Sequence, residues 1–193
     1  MKTLLLGVAF TALFAAPSFA ALKVGDTAPD FTATASLGGK DFTFKLADAL
    51  KKGPTVVYFY PSAYTGGCDL EAHTFAEQSD KFAAAGASII GVSADDLTRL
   101  KRFSADPNFC AGKFPIASDA DTKIATSYNL NVGAARDGAK DVNQDVIGHA
   151  FIERVTYVVG KDGKIMAVMS SKDDKLTPDQ HVDKSLAIVA AAK

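Results

Sequence analysis

What most constrains this chain is a change of backbone habit around residue 61. Thr55-Val-Val-Tyr-Phe-Tyr60 has the β-branched and aromatic content of a buried strand. Cys68 through Ala85 reads as a helix, and Pro61-Ser-Ala-Tyr-Thr65-Gly-Gly joins the two. A strand that hands over to a helix this way belongs in an α/β layer arrangement, with Cys68 on the helix's first turn. Backbone N–H groups there lack intrahelical partners, and the helix dipole adds partial positive charge. Both effects favour a thiolate, the reactive form of cysteine. With Thr65 as N-cap, Cys68 falls at N3 and its sulfur lies beside the Thr65 hydroxyl.

The first twenty residues read as a cleavable export signal rather than as part of the fold. Lys2 is a short positive start, Leu4 to Ala16 is apolar but short for a bilayer, and Ser18-Phe19-Ala20 suits cleavage before Ala21. Ala21 follows the cut where a lipoprotein would carry cysteine. The expectation is a protein exported to a bacterial periplasm, with one domain over 21–193. No later segment is long and apolar enough for a membrane helix. The formal charge of −1 draws the chain neither to nucleic acid nor to anionic membranes. Two cysteines, Cys68 and Cys110, are too few for a disulfide scaffold. Their purpose is open on composition alone, and one structural bridge between them is the plain alternative.

The remaining pattern fills in a fold. Asp30 to Phe44 reads as a hairpin turning at Gly38-Gly39, with Phe31, Ala33, Ala35, Phe42 and Phe44 alternating against polar residues. A helix over Leu46–Lys52 ends at Gly53-Pro54. After the Cys68 helix come a strand at Ala87–Ser93, a helix from Asp95 to about Ala105 stopped by Pro107, a short strand at Phe114–Ala117 and a helix at Ala120–Tyr128. Residues 131–149 form a polar loop. Ile152–Val159 and Lys164–Met169 make a hairpin, and the last helix opens with Thr177, Pro178 and Gln180 in a capping box. Two strand–helix–strand units, a hairpin and a closing helix predict a thioredoxin-like α/β fold: a central mixed sheet flanked by helices, with an N-terminal β-hairpin.

Pro61-x-x-x-Thr65-x-x-Cys68 resembles the active-site signature of the peroxiredoxins. The likeness extends to Val24-Gly-Asp-Thr-Ala-Pro-Asp-Phe31, to Ser118-Asp-Ala-Asp121 and to the late hairpin beginning at Arg154. Glu71, three residues after the cysteine, is similar to the bacterioferritin-comigratory (PrxQ) group. The resemblance implies reduction of hydroperoxides, hydrogen peroxide or organic, through a sulfenic acid on Cys68. It implies that Thr65 holds the sulfur and donates to the peroxide, and that Arg154 stabilises thiolate and leaving oxygen. Pro61 shields the pocket without adding a donor, and Glu71 supports. It also implies a thioredoxin-like or small-thiol reductant, no cofactor, and a monomer or weak dimer.

Two departures from that pattern matter. Gly66-Gly67 stands where the subfamily usually has Pro-Gly, which loosens the helix start. His73 stands where many members keep a resolving cysteine. By resemblance the substitute is Cys110, which lies beyond Pro107-Asn108 where some members carry their second cysteine. The implied product is an intramolecular Cys68–Cys110 disulfide, formed after local unwinding. Arg99, Arg102 and Arg136 read as solvated, Arg136 competing for the site only if the 131–149 loop folds over it. His149 and His181 read as loop and surface-helix residues. Cys68, Glu71 and His73 do not share one helical face, which weakens a metal site. The competing functions are a thioredoxin-like thiol–disulfide oxidoreductase, which usually wants a Cys-x-x-Cys that Cys68-Asp-Leu-Glu71 lacks, and an exported metal-binding module.

Overall fold

The computed structural model describes residues 22–192; the expected export signal lies outside them. Seven strands form one mixed sheet. The chain enters it through β1 (Thr32–Leu37) and β2 (Lys40–Lys45), an antiparallel hairpin. Gly38 and Gly39, with φ of 55° and 81°, supply the tight turn that matches strand twist. A short helix, α1 (Leu46–Leu50), then leads to β3 (Thr55–Phe59). Two right-sized crossovers follow: α2 (Gly66–Ala84) into β4 (Ser88–Ser93), and α3 (Leu97–Ala105) into β5 (Ile116–Ser118). Both place their strands parallel, β3 to β4 and β4 to β5.

The remaining elements are α4 (Lys123–Ser127), β6 (Val132–Gly133), β7 (Phe151–Ile152), β8 (Val155–Val159), β9 (Ile165–Ser170) and α5 (Pro178–Ala191). The sheet order is β2-β1-β5-β4-β3-β8-β9, and β6 pairs only with β7. This is the mixed thioredoxin-like sheet with an N-terminal hairpin that the sequence pattern leads one to expect. Among the described residues, no helix is long and apolar enough to cross a membrane.

Strand β3 is central and buried on both faces, and its alternation sorts two cores. Val56 and Tyr58 point to one face, where Phe75 and Phe82 of α2, Leu100 and Phe103 of α3, and Val182 and Val189 of α5 close over them. Val57 and Phe59 point to the other, against Leu46, Ala125 and Tyr128. Phe75 and Phe82 are fully buried, each contributing about 1.5–3 kcal/mol by leaving water. Gly91 pairs with Tyr58 across the β3–β4 ladder, and a Cβ on it would sit 2.6 Å from Tyr58 Cζ. That strand glycine makes room for the phenol ring.

The structure corrects several details. Phe42 does not join the core and is 41% exposed, because β2 is an edge strand with only Phe44 turned inward. The expected strand Ile152–Val159 is broken, with β7 and β8 separated by Glu153 and Arg154. The helix expected from Asp95 begins at Leu97 with Asp96 as its cap, whose carboxylate accepts from Arg99 N at 2.9 Å. At α5 the capping box is present, Thr177 N donating to Gln180 Oε1 at 3.0 Å.

Candidate active site

The site is assembled where β3 ends, α2 begins and β8 starts. Thr65 is the N-cap of α2, with extended φ/ψ of −128° and 137°, so Cys68 occupies N3. Thr65 O accepts from Cys68 N at 2.8 Å and Asp69 N at 2.9 Å, tightening the first turn. The Thr65 hydroxyl donates to Ser62 O at 2.8 Å. It also lies close enough to the thiol to favour the thiolate. One proton cannot serve both acceptors, so the hydroxyl is a switchable donor beside the sulfur. Tyr64, just before it, holds φ of 57°, an uncommon left-handed conformation for a bulky residue.

Arg154 reaches the same sulfur from the break between β7 and β8. Its Nη2 donates to Cys68 Sγ at 3.1 Å, and its Nη1 donates to Glu71 Oε2. One guanidinium thus bridges the thiol and a fully buried carboxylate one helical turn along α2. Gly67 lines this bridge: a Cβ there would press to 3.4 Å on both Arg154 Nη2 and Pro178 Cγ. Nothing comparable surrounds Gly66, so only the second glycine of the pair has a packing reason.

Burial and the cation pull in opposite directions. Cys68 is 2% exposed, and desolvation pushes its thiol up, against Arg154, Thr65 and Ser62, which all favour the anion. The net direction is upward, contrary to the lowering that the helix start alone leads one to expect. Glu71 is pushed up to about 7 by burial, with Arg154 opposing. Burial therefore favours the protonated carboxyl, and Arg154's charge favours the carboxylate. The second oxygen of Glu71, Oε1, has no hydrogen-bond partner among the described residues.

His181 also faces this region. It is buried rather than on the helix surface, with Nδ1 2.9 Å from Thr156 Oγ1 and Nε2 3.0 Å from Ser171 Oγ. Desolvation first, then Arg154's charge, lower its pKa to about 4. A cleft of about 600 Å³ opens beside Pro61 and Thr65, walled by residues of the 131–153 segment. Arg136 lines it and stays exposed, while Cys68 and Arg154 lie outside its lining, so Arg136 does not compete with Arg154 for the sulfur.

The family model described as AhpC/TSA matches residues 24–168. The chain belongs to the AhpC/TSA family, that of the peroxiredoxins. It is 31% identical over 173 residues to a putative peroxiredoxin of Mycobacterium tuberculosis, covering 89% of this chain and 99% of the relative. It is also 31% identical over 174 residues to the chloroplastic peroxiredoxin Q of Arabidopsis thaliana, covering 90% of this chain and 70% of that one. Among solved structures, peroxidoxin BcpB from Mycobacterium tuberculosis superposes with a TM-score of 0.71 at 29% identity, over 89% and 99% of the two chains. Peroxiredoxin Q of Xanthomonas campestris gives 0.59 at 28% identity, over 82% and 89%. AhpC/TSA membership with peroxiredoxin relatives makes this chain a thiol peroxidase in enzyme class.

Within this AhpC/TSA framework the site's support is polar and buried. Asp95, two residues beyond β4, accepts from Ala63 N at 2.9 Å, Ser62 Oγ at 3.1 Å and Ser93 Oγ at 2.7 Å. His149 Nε2 lies 2.8 Å from Asp95 Oδ1, and Arg99 Nε 2.8 Å from the same oxygen. Arg99 donates from Nη2 to Ala63 O at 2.7 Å and approaches Asp141 Oδ2 at 2.8 Å. Arg99 is thus buried, not solvated, because it neutralises two buried carboxylates that pin the Pro61–Thr65 loop and the 134–149 loop together. Arg102 stays exposed and pairs loosely with Asp145 at 3.5 Å. The sequence places Asp95 at a helix start and His149 in a loop, as found, but gives neither them nor Asp141 a part in the site; only the i, i+4 spacing of Asp95 and Arg99 hints at a pair.

Cys110 lies in the turn after α3, fully buried in the same cluster as Cys68. Both thiols are free, and burial pushes that of Cys110 well above its ordinary value. Tyr64 stacks edge-on against Phe109 and Phe103, tying the active-site loop to the Cys110 turn. His73 Nδ1 meets Asn108 O at 3.0 Å, so the residue at the usual resolving position holds the Cys110 segment in place. Among the described residues, no three His, Cys, Asp or Glu side chains converge as metal ligands.

Proposed function

We propose that this AhpC/TSA protein reduces hydroperoxides through Cys68, with Cys110 as the resolving thiol. The observation that carries the reading is Arg154 Nη2 within 3.1 Å of Cys68 Sγ at a helix start. The Cys68 thiolate attacks one oxygen of the substrate's O–O bond; an S–O bond forms, O–O breaks, and alkoxide or hydroxide leaves and takes a proton. Arg154 faces the negative charge that passes from sulfur to the leaving oxygen. The Thr65 hydroxyl turns from Ser62 O to the substrate, and Pro61 walls the pocket without offering a competing donor. Glu71 positions Arg154.

Cys110 then displaces the sulfenic hydroxyl as water, giving a disulfide that an external dithiol reduces. The buried thiol reacts only after the first turn of α2 or the Asn108–Cys110 turn opens, a step that His73 and the Tyr64–Phe109 contact resist. The expected reductant is a thioredoxin-like protein or a small thiol, and the leader-like residues 1–20 favour work in a periplasm. Fractionation of an expressing bacterium checks the last point; full-length protein retained in the cytoplasm rejects it.

Peroxide consumption with a dithiol reductant tests the whole. Cys68→Ser abolishes turnover, whereas Cys110→Ser reacts once and stalls. Non-reducing mass spectrometry after one equivalent of peroxide should find the chain two hydrogens lighter. A persistent sulfenic acid with Cys110 still free rejects the resolving role, and full activity of Cys68→Ser rejects the peroxidase.

A further inference from the structure

Two carboxylates flank Cys68 on α2, and only Glu71, which meets Arg154, has a part in the peroxide step. Asp69, the residue next to Cys68, lies about 200° from Glu71 around the helix and so faces the other flank. That flank looks at the turn carrying Cys110. His73, one turn beyond Asp69 at i+4, meets Asn108 O at 3.0 Å, and Ala72 packs in the buried cluster that holds both cysteines. Just before the helix, the Tyr64 and Phe109 rings meet edge-on with centroids 5.4 Å apart. Asp69 has a buried oxygen, Oδ1, without a hydrogen-bond partner among the described residues. Burial pushes its carboxyl up to about 6; the Asp141 charge adds to that, while the backbone of Thr65 and Tyr64 and the charge of Arg99 oppose it. At Cys110, burial raises the thiol first and the charges of Asp106 and Asp69 raise it further, so Asp69 is close enough to act on that sulfur.

A fully buried thiol cannot release its proton to water without leaving a new charge in the core. Passing it to a neighbouring carboxylate moves an existing negative charge and adds none. From this placement we infer that Asp69 carries the proton of the resolving step, taking it from Cys110 and handing it to the oxygen that leaves Cys68. The Cys110 sulfur attacks Cys68 Sγ, S–S forms, the sulfenic S–O bond breaks, and the departing hydroxide collects the proton from Asp69 and leaves as water. Cys110 is oxidised, the sulfenic sulfur is reduced, and the carboxylate is regenerated. As the residue after Cys68, Asp69 stays with the sulfenic acid when the first turn of α2 opens. The charges facing this proton path are Asp141 from the 131–149 loop, Arg99 from α3 and Asp106 from the turn that carries Cys110, with His73 following on α2 itself. The inference rests on the resolving role of Cys110 proposed above.

The test follows a single turnover of the full chain without reductant. One equivalent of hydrogen peroxide is added, and sulfenic acid and disulfide are read by trapping and mass spectrometry across a series of pH values. In the wild type the rate of disulfide formation rises as Asp69 ionises, through about pH 6, and then levels. Asp69→Asn keeps the size and loses the base: disulfide formation slows about 10²-fold near neutrality, and its rate climbs without a plateau towards the alkaline ionisation of Cys110. Asp69→Glu restores part of the rate and the plateau. A wild-type profile that stays flat through this range overturns the inference. So does an Asp69→Asn protein that forms the disulfide at the wild-type rate, or one that slows by a constant factor with the plateau intact, which is a structural effect only. If Asp69→Asn does not fold, the wild type and Asp69→Glu decide, and a flat profile in either overturns the inference. Failure of the resolving reading looks different: the wild type holds a sulfenic acid with Cys110 free at every pH, and the inference falls with it.

Discussion

Replacing Glu71 by Gln should make Cys68 a stronger acid. The carboxylate and the thiol share Arg154, and they sit one helical turn apart on α2. Side chains at that spacing are about 5.5 Å apart, and two unit charges there repel by about 3 kcal/mol at an effective dielectric of about 20. Removing the repulsion lowers the thiol pKa by roughly two units. Burial already favours the protonated form of Glu71, so part of the effect is spent near neutrality, leaving a fall of about one unit. Glutamine keeps an acceptor for Arg154 Nη1, so the guanidinium stays in place. Below the thiol pKa the thiolate fraction then rises about tenfold, while the weaker basicity of the sulfur takes back part of the gain, for a net rate increase of roughly threefold. Alkylation rate against pH in a Cys110→Ser background reads the pKa from one thiol only, and stopped-flow peroxide reduction reads the rate. An unchanged or raised pKa in Glu71→Gln refutes the argument, and would mean that the carboxylate matters for Arg154's position more than for its charge.

Three further outcomes are expected. Arg154→Gln removes the cation on Cys68 Sγ and strands Glu71, so peroxide reduction should slow by roughly 10²–10³ and the fold should lose about 3 kcal/mol, seen by stopped-flow and urea unfolding. Retained rate would leave Arg154 without a role in the chemistry. His181, depressed to about 4, is neutral when folded and protonated below about 6.5 when unfolded. Stability is therefore whole above pH 6.5 and falls as pH drops towards 4, by up to about 3 kcal/mol, and His181→Asn should flatten that fall in urea titrations between pH 7 and 4.5. Gly91→Ala drives a methyl to 2.6 Å from Tyr58 Cζ, with Tyr58 itself locked against Tyr60 and Phe75. It should cost about 1–3 kcal/mol in thermal or urea unfolding, and a neutral result would mean the ring has room to move.

Local chemistry wrote much of this protein plainly. The β-branched run before residue 61, the glycine turn at Gly38-Gly39, the Thr177–Gln180 cap and the Phe75–Phe82 spacing all act over short stretches of chain. They led to the correct strands, helices and layers. Thr65 as N-cap with Cys68 at N3 followed from the same logic. Failures came where long-range contacts decide. Arg99 and His181 read as surface residues because charge and polarity favour water, and only the fold reveals the buried carboxylates and hydroxyls that repay their desolvation. The strand through Arg154 looked continuous because periodicity does not register a break that turns one side chain onto a sulfur 86 residues away.

The order of elements and the place of Cys68 on a helix start are properties of neighbouring residues, and the chain alone determined them. The balance of charge at the sulfur is not. It depends on how much water the closed fold removes and on which groups from β7–β8 and α5 it brings near, and those distances exist only once the sheet has formed. Hence the helix start by itself argued for an easily ionised thiol, while the packed site makes that ionisation hinge on a guanidinium divided between sulfur and carboxylate.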